Sequence, residues 1–281
     1  MTPTYSLPVV PTYVTWRGHR IAHYQAGSGT PVFLLHSINA AASAFEMRAQ
    51  FAALQDQYAV HAIDLLGFGS SDRPARVYRS SDYIDIVMHT LLTIGRPAHL
   101  IASSLTGAYA IAVAARLPEQ VRSLVLVAPT GIAQLADQPG TVQQFSYDVL
   151  RGPVGDVVYG LLSSKPIVRY FLEQQTYADS KRVTEATLKG YHRVTQQPGA
   201  KYAPICFVTG LLNYDVRNDF ARLTQPILLV WGKQLKITPV QQADAFLQCN
   251  ARARLEVLDN SALSNEDSPE RFNALVQTFL G

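Results

Sequence analysis

The 281-residue chain is 48% hydrophobic and only 16% charged, with a net charge of +3. That length holds one large core, and so low a charged fraction points to an enlarged interior, an apolar pocket or a subunit interface, which leaves room for a homodimer. Lys and Arg are dispersed with no basic run, so neither nucleic acid nor a membrane is expected as a partner.

In chain order, residues 13–16 and 20–24, separated by Gly18, read as an antiparallel hairpin at a sheet edge. Short apolar blocks follow at 32–35, 58–63, 99–102 and 123–127, each bounded by turn residues, as strands buried on both faces are. Helical patterns fit between them, among them 81–94 and 105–117. After Pro129 the rhythm breaks, and 131–218 is helical and aromatic, with Tyr147, Tyr159, Tyr170, Tyr191 and Phe207 among its residues. Strand patterns resume at 226–231 and 255–258, and a helix from about Pro269 closes the chain. The alternation predicts an α/β fold with a mostly parallel, twisted sheet of eight strands and helices on both faces. Residues 1–130 and 219–281 are expected to form its core. Residues 131–218 are expected to form a helical lid, inserted after the sixth strand over a site at the strand carboxyl ends.

At 102–106 the chain reads Ala-Ser-Ser-Leu-Thr, a serine between small residues where a strand turns sharply into a helix. That arrangement presents a nucleophilic serine, although by itself it also suits a helix-capping serine. Upstream, His36-Ser37-Ile38-Asn39 resembles the His-Gly-x-x loop of the α/β-hydrolase superfamily. The segment Asp64-Leu65-Leu66-Gly67-Phe68-Gly69-Ser70-Ser71 resembles that family's Asp-x-x-Gly-x-Gly-x-Ser. Trp231-Gly232 and the closing Pro269-Glu270-Arg271-Phe272 fit as well. The resemblance runs from about Tyr13 to Gly281. It is to the lidded branch that contains esterases, epoxide hydrolases, C–C bond hydrolases and haloalkane dehalogenases.

The resemblance implies Ser104 as nucleophile and the backbone N–H groups of Leu105 and Ile38 as an oxyanion hole, which stabilises charge developing on a carbonyl oxygen. His36, Ser37, Asn39, Ser103 and the lid residue His192 complete the candidate binding residues. Ser37 stands where the family has glycine, and His36 where it has a structural hydrogen-bonder. The resemblance also implies an acid three residues after Gly232 and a histidine four residues after Asp259. Those positions hold Leu235 and Leu263. No carboxylate follows the strand at 123–127 to replace the acid. His19, His23, His61, His89 and His99 fall on strands or helices away from the turn, and Glu266 and Asp267 read as solvated loop charges.

A serine hydroxyl is a poor nucleophile without a base to take its proton. Two expectations follow. In one, the chain is a pseudo-hydrolase that keeps the fold to bind a small apolar carbonyl ligand or ester with little or no hydrolytic turnover. In the other, a non-standard hydrolase, esterase-like or C–C bond cleaving, works through Ser104 and the oxyanion hole. Neither expectation includes a metal or cofactor. Cys206 and Cys249 are too few and too far apart for a metal site or disulfide framework. They suit a reducing compartment, and Met1–Tyr13 lack the basic-then-apolar pattern of a signal peptide. A cytoplasmic protein is expected.

Overall fold

The computed structural model describes residues 7–281, so residues 1–6 of the segment read for a signal peptide lie outside the described residues. Two antiparallel strands open the sheet, β1 (Thr12–Trp16) and β2 (His19–Ala26). Six more follow: β3 (Pro31–Leu35), β4 (Ala59–Ile63), β5 (Ala98–Ser103), β6 (Val121–Val127), β7 (Ile227–Gly232) and β8 (Ala253–Leu258). Their order across the sheet is β1-β2-β4-β3-β5-β6-β7-β8, with β2 antiparallel to β4 and every later pairing parallel.

The helices are α1 (Arg48–Leu54), α2 (Ser80–Ile94), α3 (Leu105–Arg116), α4 (Thr141–Leu150), α5 (Pro153–Leu162) and α6 (Lys165–Phe171). They continue as α7 (Glu185–Thr195), α8 (Tyr202–Val208), α9 (Arg217–Arg222), α10 (Ala243–Cys249), α11 (Ser264–Asp267) and α12 (Pro269–Leu280). Helices α4 to α9 all fall between β6 and β7. Helix α9 packs on α3 and α10, so by residue 217 the chain has returned to the sheet. Among the described residues no helix is long and apolar enough to cross a membrane.

Both faces of the sheet are covered, and the strands show why they lack alternating polarity. Phe33, Leu35, Leu100, Leu124, Leu126 and Leu229 pack with α2, α3 and α10 on one face. Their neighbours Val32, Leu34, Ile101, Val125, Leu228 and Val230 pack with α1 and α12 on the other. Successive side chains of a strand point to opposite faces. A strand buried on both sides is therefore apolar throughout.

Candidate functional site

Strand β5 ends at Ser103 and α3 begins at Leu105, which leaves Ser104 as the single residue of the turn. Its backbone sits at φ 56°, ψ −125°, a conformation that costs energy for any residue with a Cβ. The surroundings hold it there. Its N–H donates to the Val127 carbonyl at 2.9 Å, and its own carbonyl accepts from Gly107 at 3.0 Å and Thr130 at 3.3 Å. Thr106 fits where a smaller residue is usual because its hydroxyl donates to the Ser103 carbonyl at 2.8 Å. The tightest approach of helix to strand falls at Gly107, where an added Cβ would lie 2.9 Å from Pro129.

A cavity of about 210 Å³ opens over Ser104. Seven of the sequence-derived candidates line it: Ser37, Ile38, Asn39, Ser103, Ser104, Leu235 and Leu263. Leu105 stands at the helix start beside the serine, and neither its N–H nor that of Ile38 has an acceptor among the described residues. Both amides are thus available to a ligand oxygen. Leu235 lies in the turn after β7 and is buried in the main core cluster. Leu263 just precedes α11, and its N–H donates to the Thr176 carbonyl at 3.0 Å.

The histidines lie elsewhere. No histidine is among the residues lining this cavity. His36 is fully buried, with Nε2 accepting from the Leu65 N–H at 3.1 Å and Nδ1 donating to the Ser37 carbonyl at 2.6 Å. Burial lowers its pKa, so both ring nitrogens are committed to holding loops together. His192 lies on α7 and does not line the cavity. His23 and His61 bond to each other at 3.0 Å, and His99 bonds to Ser123 at 2.7 Å. Asp64 is structural too. It accepts from Ala44 and Ser70 amides and from the Tyr24 hydroxyl at 2.7–2.8 Å. Gly69 is required beside it, because a Cβ there would lie 2.0 Å from the Asp64 carboxyl carbon.

Sequence reasoning missed Glu46, the one carboxyl group among the cavity-lining residues. It is the single charge in the stretch 37–47, which was the available signal. One carboxyl oxygen accepts from the Ser37 hydroxyl at 2.5 Å, and the Ser37 N–H donates to both oxygens at 3.1 and 3.2 Å. Burial pushes Glu46 up to about 7, opposed by the Ser37 hydrogen bonds and reinforced by the negative charge of Glu266. The serine that replaces the family glycine therefore has a partner of its own.

Glu266 and Asp267, expected to be solvated, are buried instead. Arg48 donates to both Glu266 oxygens at 2.8 Å, and the Tyr177 and Tyr191 hydroxyls donate to the same carboxylate. Asp267 accepts from the amides of Ala178 at 3.0 Å and Ala262 at 2.7 Å, with Arg182 alongside. These partners lie far away in sequence, so each charge looked like a loop charge. Among the described residues no group of three or more His, Cys, Asp or Glu is placed to hold a metal.

Compared with known proteins, residues 32–275 match the model of the alpha/beta hydrolase family. The chain is 26% identical over 275 residues to a 2-hydroxymuconate semialdehyde hydrolase of Pseudomonas sp. (strain CF600), covering 94% of this chain and 91% of that one. It is also 26% identical to 3-oxoadipate enol-lactonase 2 of Acinetobacter baylyi, covering 82% of each. Among solved structures, a serine hydrolase involved in carbazole degradation superposes with a TM-score of 0.80 at 21% identity, covering 96% of this chain and 98% of that one. With the turn at Ser104, the two free amides and the sheet order in place, the chain belongs to the alpha/beta hydrolase family.

Proposed function

We propose that this cytoplasmic protein binds a small, largely apolar carbonyl compound over Ser104, with little or no hydrolytic turnover. One observation carries the reading: Leu235 and Leu263 line the serine's cavity, and no histidine does. Among the described residues the serine has no base to take its proton, since Glu46 is engaged by Ser37 and makes no hydrogen bond to Ser104. Binding groups remain. The Ile38 and Leu105 amides suit a carbonyl oxygen, and two buried atoms of lining residues, Thr130 Oγ1 and Gln175 Oε1, have no hydrogen-bond partner among the described residues. Buried polar atoms are rarely left unpaired, so these two are places for a ligand or water. Two relatives are named for action on a lactone and a semialdehyde, both carbonyl compounds. The location rests on the two free thiols.

A second reading, a non-standard hydrolase, is favoured by the strained turn that still holds Ser104 half-buried at the cavity. In serine proteases, an oxyanion hole and binding alone leave roughly 10³–10⁴-fold acceleration over water. The test pairs a fluorophosphonate probe and p-nitrophenyl butyrate with thermal shift by 4-phenyl-2-butanone, on wild type and Ser104→Ala. Stabilisation by the ketone without rapid Ser104-dependent labelling is expected. Fast labelling and ester turnover that vanish in Ser104→Ala would replace the binding reading with the hydrolase.

A further inference from the structure

Helices α4 and α5 pack on each other and turn apolar stripes outward. On α5, Val154, Val157 and Leu161 recur at helical spacing, with Val157 75% and Leu161 64% exposed. On α4, Val142, Phe145 and Val149 do the same, with Phe145 70% exposed. The one residue of α5 that is buried is Gly155. An apolar helix stripe usually faces a core, and a contiguous exposed patch of this kind marks an interaction surface.

The patch is also a doorway. A second apolar cavity, of about 200 Å³, lies beneath it and shares Asn39, Phe171, Tyr191 and Phe207 with the cavity over Ser104. Three of its lining residues, Val158, Leu162 and Val208, are themselves exposed members of the patch. The second cavity therefore borders the exposed apolar face on one side and the cavity over Ser104 on the other. The charges at its edges are neutralised in pairs, Asp148 with Arg151, Asp156 with Lys201 and Lys165 with Glu185.

We infer that the outer face of α4 and α5 docks on a lipid surface, so that an apolar ligand passes from the hydrocarbon into the cavity without crossing water. This departs from the sequence expectation of no membrane partner, and its ligand route rests on the binding reading above. A second copy of the chain seated on this face would close the mouth that a lipid surface leaves open. A helix with one apolar face and a polar back lies in the plane of a membrane interface, its apolar side chains among the acyl chains. Because the flanking charges are paired, the attraction is apolar and requires no anionic headgroup.

The experiment is flotation of the full chain with phosphatidylcholine vesicles at low and high salt, beside sedimentation equilibrium without vesicles. Binding that persists at high salt is expected, since screening weakens only the electrostatic part. The double variant Val157→Asp, Leu161→Asp should weaken it on the order of tenfold or more. Val142→Asp, Phe145→Asp should do the same from the neighbouring helix. All four positions are exposed, so folding and ketone-induced thermal shift should be retained. No flotation of the wild type, or flotation of both variants as complete as the wild type's, overturns the inference and leaves the ligand reading standing. A dimer that these variants dissociate, without vesicle binding, gives the face to a second copy. Binding that needs anionic lipid and disappears at high salt also overturns it.

Discussion

At the scale of single residues, Ser104 and Glu46 show opposite uses of an unfavourable state. Ser104 keeps a strained backbone that its hydrogen bonds with Val127, Gly107 and Thr130 impose on it. Glu46 keeps a buried carboxyl in a position where its charge is opposed by burial and by Glu266. A free glutamate titrates near 4.5 and this one near 7. Between those values the folded chain holds a proton that the unfolded chain has released. Stability therefore falls as pH rises through that window and levels off above about 7. The gap corresponds to about 3 kcal/mol. His61 and His99, which burial lowers to about 4, work in the other direction, costing stability as pH falls below 6.5. Comparing wild type with Glu46→Gln removes them. In urea titrations the variant should gain on the wild type by up to about 3 kcal/mol between pH 5 and 8. Parallel curves would mean that Glu46 keeps an ordinary pKa.

At the scale of elements, the short helix α11 ties the insert to the core. Glu266 gathers Arg48 from α1 and the hydroxyls of Tyr177 and Tyr191 from the insert, while Asp267 holds the amides of Ala178 and Ala262. Replacing Glu266 with Gln removes the negative charge and one of the two acceptor oxygens shared by Arg48 and the two tyrosines, and puts an NH2 donor in that oxygen's place. A fully buried pair broken this way costs about 3–5 kcal/mol. The Arg48 side chain is 28% exposed and can turn to water, so about 1–3 kcal/mol is expected here. Unfolding in urea and limited proteolysis should report it together, with new cleavage between 177 and 195. An unchanged midpoint with an unchanged digest would sink the tie. None of this was legible in sequence, where a buried carboxylate and a solvated one are the same letters. The strands were legible for the converse reason. Burial on both faces makes β3 to β7 mostly apolar, and each was read to within about two residues of its observed ends. The serine turn was read because its neighbours must be small, and Leu235 and Leu263 because fixed spacings lead to them. The cavity itself was not, since Thr130, Gln175 and Tyr191 reach it from separate segments.

At the scale of the whole molecule, the insert is not one unit. Ala203, Ile205 and Cys206 of α8 belong to the same core cluster as β3, β5 and α3, and the Tyr78 N–H donates to Cys206 Sγ at 3.3 Å. Burial pushes that thiol up to about 12, consistent with a packing role. A separate small cluster joins Val168, Leu172, Leu188 and Tyr191 to Ala41 and Phe45. Helices α4 and α5 contribute one buried residue each, Tyr147 and Gly155. Helical spacing announces an apolar stripe but not which way it faces, so these differences among the helices of 131–218 were not legible in the sequence. Local opening energy follows the apolar surface a segment keeps from water. Amides of α8 should therefore exchange with solvent as slowly as those of β5 and α3, through global unfolding. Those of α4 and α5 should exchange faster by about two orders of magnitude or more, through an opening that leaves the sheet intact. Equal protection across α4, α5 and α8 in native-state hydrogen exchange would show one cooperative body, and the outer helices could not then move aside from the cavity mouth without unfolding the core.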